Sequence, residues 1–132
     1  MIRSNPSPPR SHPVHEVSRR THAFLDYIAG ILLLLAAAFL PFPDPNMRTF
    51  SMGVGGFLLL YSVVTDYELS LLRFVPFAIH RGADLLFGIL VAFSPIHFGL
   101  RGVPALLFVA VGALLMYLAF CTRAEPGRQM PG

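Results

Sequence analysis

The sequence has no tryptophan, no lysine and one cysteine, Cys121. A single thiol makes neither an intrachain disulfide nor a redox pair, which excludes thiol–disulfide membrane chemistry. Charge is scarce as well: 13% of the 132 residues are charged and 55% are hydrophobic, where a soluble domain carries about 25% charged residues. The composition points to a membrane protein. All ten basic residues are arginine, spread over the chain ends and short loops. A net charge of +3 distributed in this way makes no basic face, so nucleic acid is not an expected partner. Arginine without lysine, with abundant Ala, Gly and Pro, suggests a GC-rich bacterial source. No small-residue cleavage site follows the first apolar run, and a cleaved signal peptide is not expected.

What the chain does have is long uncharged stretches. Windows of 17, 17, 16 and 21 residues lie between Asp26 and Asp44, Arg48 and Asp66, Asp84 and Arg101, and Arg101 and Arg123. At about 1.5 Å of rise per residue, with a flanking turn added to the shorter three, each can cross a hydrocarbon layer of about 30 Å. Helices are expected over about 22–40, 49–66, 79 to 94 or 98, and 102 or 103 to 122. Pro41, Pro43 and Pro45 stop the first, Pro95 kinks or ends the third, and Pro104 suits the first turn of the fourth.

The division along the chain is a flexible basic arm at 1–21, a hairpin at 22–66, an interfacial connector at 67–79, a second hairpin at 80–122 and a polar tail at 123–132. In the connector, Leu71, Leu72, Phe74 and Val75 suit the membrane interface, while Glu68 and Arg73 suit water. Arg3, Arg10, Arg19, Arg20, Arg73, Arg81, Arg123 and Arg128 fall on one side of this topology, and Arg48 and Arg101 on the other. The positive-inside rule then puts both termini and the middle loop in the cytoplasm.

The two halves match. His22-x3-Asp26-x3-Gly30 returns as His80-x3-Asp84-x3-Gly88 at an offset of 58. In the second helix of each half, Gly56 and Tyr61 pair with Gly112 and Tyr117 at 56, and Thr65 pairs with Thr122 at 57. Near-constant offsets indicate a duplicated hairpin of about 45 residues. A hairpin crosses twice and returns, so the copies share one orientation and are related by an axis along the membrane normal. The fold expected is all-α: a four-transmembrane-helix bundle of two parallel-orientation hairpin repeats. Small residues at Gly53, Gly55, Gly56 and Gly112 suit close helix packing. Gly53-x-Gly55-Gly56 lacks the Lys of a phosphate loop and sits in an apolar segment.

The run YSVVTDYELSLLRFVPFAIHRGADLLFGILVAFSPIHFGL, Tyr61 to Leu100, resembles the bacterial SPW-repeat membrane proteins. The Ser-Pro-Trp signature of that family stands here as Ser94-Pro95-Ile96, with Leu40-Pro41-Phe42 at a similar place in the first half. The resemblance implies a small integral membrane protein of two hairpins in the bacterial inner membrane, and implies no chemistry.

The repeat places His22, Asp26, His80, Asp84, Tyr61, Thr65, Tyr117 and Thr122 near the cytoplasmic ends of the helices. Residues i and i+4 share a helix face, so His22 stacks with Asp26 and His80 with Asp84. An aspartate in the apolar slab costs roughly 2.5–3.5 kcal/mol at its centre, so partners are expected. One reading is a hydrogen-bonded network that fixes the bundle, completed by Arg20 or Arg81 and the neighbouring Tyr or Thr. Another is a proton or small-solute site, because histidine beside carboxylate titrates near neutral pH. The ligand types also suit zinc, but spacing alone does not bring the two faces together. Bis-histidine haem ligation fits less well, since both histidines open helices beside arginines.

His12, His15 and His97 fall in the arm or near a loop and read as solvated. No Ser-His-Asp or paired-carboxylate arrangement names a reaction, so no catalytic residue, metal or other cofactor is assigned. The functional expectation is a structural or accessory membrane module, in contact with the bilayer and with a second copy or a partner membrane protein. The alternative is a small transporter or channel for a proton, cation or polar solute that uses the His/Asp cluster. A membrane enzyme would further require a substrate pocket at the cluster.

Overall fold

The computed structural model describes residues 16–66 and 69–122. Four helices follow in order: α1 (Arg19–Phe39), α2 (Pro45–Val64), α3 (Phe77–Phe98) and α4 (Val103–Cys121). All four are long and apolar enough to cross a membrane, and among the described residues there is no strand, only two isolated bridges. The fold is an all-α bundle of two hairpins, α1 packed on α2 and α3 on α4, with the hairpins meeting more sparingly through α1·α4 and α2·α3.

Local chemistry sets the helix ends. The Ser18 hydroxyl accepts from the Thr21 backbone N–H and caps α1. Helix 1 therefore starts three residues before the expected His22, inside what the sequence suggested was arm; residues 1–15, with His12 and His15, lie outside the described residues. Asp44 caps α2 ahead of Pro45, so this helix also begins earlier than expected, at 45 rather than 49. Arg48 reaches back to the carbonyls of Ala37 and Leu40 and covers acceptors left open at the end of α1. Pro95 does not end α3, which runs three residues further to Phe98. There Gly99 adopts the left-handed conformation (φ 70°) that closes a helix, and Leu100 N–H donates to the Pro95 carbonyl.

The connector is bound to α2 more tightly than a surface segment needs to be. Phe74 and Val75 N–H donate to the Val64 carbonyl, Leu71 and Leu72 N–H to that of Val63, and Thr65 bridges Val75. The last carbonyls of α2 are thereby satisfied. Leu71 and Phe74 remain highly exposed, and Arg73 lies 3.8 Å from Asp66; Glu68 and the tail from Arg123 onward fall outside the described residues. The other repeat has the same device: Val17 N–H donates to the Cys121 carbonyl, and Val17 bridges Thr122. Val17 and Val75 are 58 apart, so the duplication extends upstream of the triplets.

Polarity is arranged from inside to outside. The core holds Ala29, Leu33, Met47, Leu58, Val91, Phe108 and Leu115 at one end and His22, Asp26, His80 and Asp84 at the other, all four of the latter at 0% exposure. Outward faces carry Phe24, Phe39, Leu60, Phe93, Ile96, Leu106 and Phe120. An ordinary soluble surface does not gather so many large apolar groups.

Candidate functional site

The site is built from two glycines upward. A Cβ on Gly30 would lie 2.8 Å from Leu59 Cδ2 and 3.1 Å from the Gly55 carbonyl oxygen, and one on Gly88 would lie 2.9 Å from that of Gly112. These approaches press α1 onto α2 and α3 onto α4. Gly55 and Gly112 are therefore packing glycines, as expected, but Gly53 and Gly56 are not: a Cβ on either meets nothing within 4 Å. The third members of the triplets, Gly30 and Gly88, do this work instead. The structural counterpart of Gly112 is Gly55, at an offset of 57, which is also the offset of Thr65 and Thr122.

One and two turns from these contacts, toward the helix starts, the four ionisable side chains converge. The primary pairing crosses between hairpins: His22 Nε2 lies 2.8 Å from Asp84 Oδ2, and His80 Nε2 lies 2.8 Å from Asp26 Oδ2. The contacts within a helix, His22 to Asp26 and His80 to Asp84, are longer at 3.3 Å. Oδ2 of each carboxylate thus faces both imidazoles, and N, O, N and O alternate around a closed ring on the axis relating the repeats. The expected stacking within each helix is present but secondary.

The threonines fix the rings. Thr122 Oγ1–H donates to the Leu118 carbonyl and Thr65 Oγ1–H to that of Tyr61, both at 2.7 Å. Each hydroxyl has spent its one proton, so it accepts from histidine: His22 Nδ1–H donates to Thr122 at 2.6 Å and His80 Nδ1–H to Thr65 at 2.7 Å. Both Nε2 atoms are thereby aimed at carboxylate. Each short N···O contact holds one shared proton, as imidazolium with carboxylate or imidazole with carboxylic acid. In either form the ring is neutral overall, which limits its desolvation cost.

Around the ring the halves differ. Tyr61 lies flat on His80, with centroids 4.8 Å apart and planes at 8°. Tyr117 does not join the cluster; it is 46% exposed, and at the offset of 57 the position matching Tyr61 is Leu118. Phe77 meets His22 edge-on at 5.2 Å and stacks at 6.1 Å from His80, with the Arg19 guanidinium 4.8 Å above its own ring. The Arg19 guanidinium also donates to the Asp66 carbonyl. Neither arginine considered from the sequence completes the network: Arg20 is exposed, and Arg81 Nε donates to the Ala119 carbonyl on α4.

The unshared oxygens, Oδ1 of Asp26 and of Asp84, are buried and have no hydrogen-bond partner among the described residues. A groove of about 410 Å³ lined by Phe50, Leu90, Phe93 and His97 lies at the other end of α3. His97 is therefore remote from the cluster. No family model, curated protein or solved structure matches the chain.

Proposed function

We propose that the chain is a structural or accessory membrane module in which the His/Asp ring fastens two repeated hairpins into one bundle. The observation that carries this reading is the reciprocal pairing of His22 with Asp84 and His80 with Asp26, every partner being at 0% exposure. Charge-assisted hydrogen bonds placed where two hairpins meet, with the glycine contacts confined within each hairpin, are the arrangement a fastener requires. A solute pathway would instead need these side chains to meet water.

On this reading the membrane is the bacterial inner membrane, and the arginine distribution puts both termini in the cytoplasm. The bilayer covers the outward apolar faces, and a second copy or another membrane protein packs on the open side of α2 that carries Gly53 and Gly56. The test pairs folded yield with flux. Purified Asp26→Asn/Asp84→Asn is expected to show reduced folded yield, and liposomes holding wild type or variant to leak protons and monovalent cations equally slowly. A wild-type flux that the double variant abolishes would replace the fastener with a transporter.

A further inference from the structure

The ring has the composition and geometry of a metal site. We propose that His22, Asp26, His80 and Asp84 bind one divalent transition-metal ion of the zinc class, through both Nε2 atoms and one oxygen of each carboxylate. The proposal rests on the preceding reading only in that the same four side chains converge in the folded bundle.

The donor atoms lie within 4.8 Å of one another, with neighbouring edges of 2.8 and 3.3 Å. Bonds of about 2.0–2.1 Å to a tetrahedral ion need all six edges at about 3.3–3.4 Å. The cage therefore forms when the two short edges open by about half an ångström and the longest separation, up to 4.8 Å, closes by about 1.4 Å. The threonines supply the outer support such sites use. Nδ1–H is held by a hydroxyl that is itself anchored to a helix carbonyl, which fixes the tautomer and leaves Nε2 as the ligand.

Two further observations point to a cation. Oδ1 of Asp26 and of Asp84 are buried acceptors without a partner among the described residues, and burying an acceptor unsatisfied is costly; a metal beside the carboxylates gives them a counter-charge. The charge also balances. The ring holds two shared protons between two imidazoles and two carboxylates; a divalent ion displaces both and leaves the net charge at zero. Occupancy therefore adds no net charge to an apolar interior. Two imidazoles and two carboxylates without sulfur favour zinc, and Co²⁺ as its spectroscopic substitute, over Mg²⁺ or Ca²⁺, which prefer six or more oxygens.

The test uses the full chain in detergent with a histidine-free purification tag, stripped with EDTA, loaded with ZnCl2 or CoCl2 and freed of excess by gel filtration. Expected are one ion per chain by elemental analysis, the intense visible bands of tetrahedral Co²⁺, and a higher Tm in the loaded form. His12→Ala/His15→Ala/His97→Ala should still hold one ion. Thr65→Val and Thr122→Val should each weaken Zn²⁺ binding by about 10–100-fold, and Asp26→Asn/Asp84→Asn should abolish the Co²⁺ bands. If the last variant does not fold, the wild-type spectrum and the threonine variants decide. A folded wild type that holds no stoichiometric ion, an octahedral Co²⁺ spectrum, or loss of the ion in the triple histidine variant overturns the site. EDTA-stripped protein that stays folded and binds nothing sinks the metal while leaving the fastener. Ring variants with undiminished folded yield sink the fastener and leave metal binding to be judged by the spectrum.

Discussion

Replacing His22, Asp26, His80 and Asp84 by alanine, singly and in pairs, separates the bond across the repeat axis from the bond along the helix. The cross pair is short, 2.8 Å, and joins α1 to α3; the pair within α1 is 3.3 Å. Hydrogen bonds between membrane helices couple by about 0.6 kcal/mol on average and up to about 1.7 kcal/mol, because separated helices find other partners. The His22–Asp84 bond is charge-assisted and sealed from water, which places its coupling at or above that upper end, about 1.5–3 kcal/mol. The His22–Asp26 contact behaves differently: an i,i+4 pair contributes about 0.2–0.5 kcal/mol and persists wherever the helix itself persists. In an SDS titration followed by circular dichroism, the denatured state retains much of its helix, so this pair should couple by less than about 0.5 kcal/mol. The repeat makes the cycle internally replicated, since His80 with Asp26 should reproduce the cross-pair value. Additive losses for His22→Ala and Asp84→Ala, within the roughly 0.3–0.5 kcal/mol expected of independent sites, would refute the crossed ring. So would a larger coupling for His22 with Asp26 than for His22 with Asp84.

Further perturbations test the surroundings. Gly112→Ala places a Cβ 2.5 Å from the Ala92 nitrogen and the Gly88 oxygen, backbone atoms that cannot step aside; a loss of about 1–3 kcal/mol is expected, while Gly53→Ala, which meets nothing within 4 Å, should leave the SDS midpoint unchanged or raise it. Thr65→Val strands the His80 Nδ1–H and should cost about 1–3 kcal/mol, and Thr122→Val about the same for His22, both read from the same midpoints. Tyr61→Leu removes a ring stacked on His80 and should cost only about 0.5–1.5 kcal/mol beyond the lost apolar area, because the other half already folds with Leu118 at that position.

Much of this arrangement is legible in the sequence because membranes reward simple patterns. The charge gaps delimit four spans, and the prolines around Pro43 and at Pro104 mark helix ends. The His-x3-Asp spacing marks the site residues, and Thr65 and Thr122 were within reach because they share the repeat. The crossed pairing was not legible. An i,i+4 spacing argues for contact along one helix, and only the disposition of α1 and α3 about the axis shows that each histidine lies closer to the other repeat's aspartate. The register of the second helices differs by one residue from the one the sequence pattern favours: the adjacent Gly55 and Gly56, and the chance identity of Tyr61 with Tyr117, point to 56, whereas the threonines and the packed glycines give 57. Gly30 and Gly88 carry a readable signal as the third members of the triplets, whereas two of the three glycines clustered in α2, Gly53 and Gly56, meet nothing within 4 Å. The early start of α1 depended on Ser18, whose capping role competes with the flexible character of the prolines and serines upstream.

The symmetry explains how so few residues make a closed ring. In each repeat a valine ahead of the first helix is bridged to the threonine that ends a second helix: Val75 to Thr65 of the preceding hairpin, and Val17 to Thr122 of the following one. The covalent connector makes the first junction and hydrogen bonds alone make the second, yet the local structure is the same. One histidine, one aspartate and one threonine per hairpin are therefore sufficient, because the axis supplies the complementary set. The two copies have not drifted equally at all positions. Ala23 stands opposite Arg81, Arg19 opposite Phe77 and Leu118 opposite Tyr61, while the ring atoms and both threonines are identical in kind. A patch that only had to be apolar and well packed would tolerate divergence at His22 or His80 as readily as at these neighbours. Apolar and glycine positions such as Val17/Val75, Gly30/Gly88 and Gly55/Gly112 are also shared, but among polar side chains identity is confined to the ring and the hydroxyls that orient it. The constraint on polar groups therefore acts on donor and acceptor geometry at the axis, which is what a hairpin fastener and a four-ligand cation site both demand.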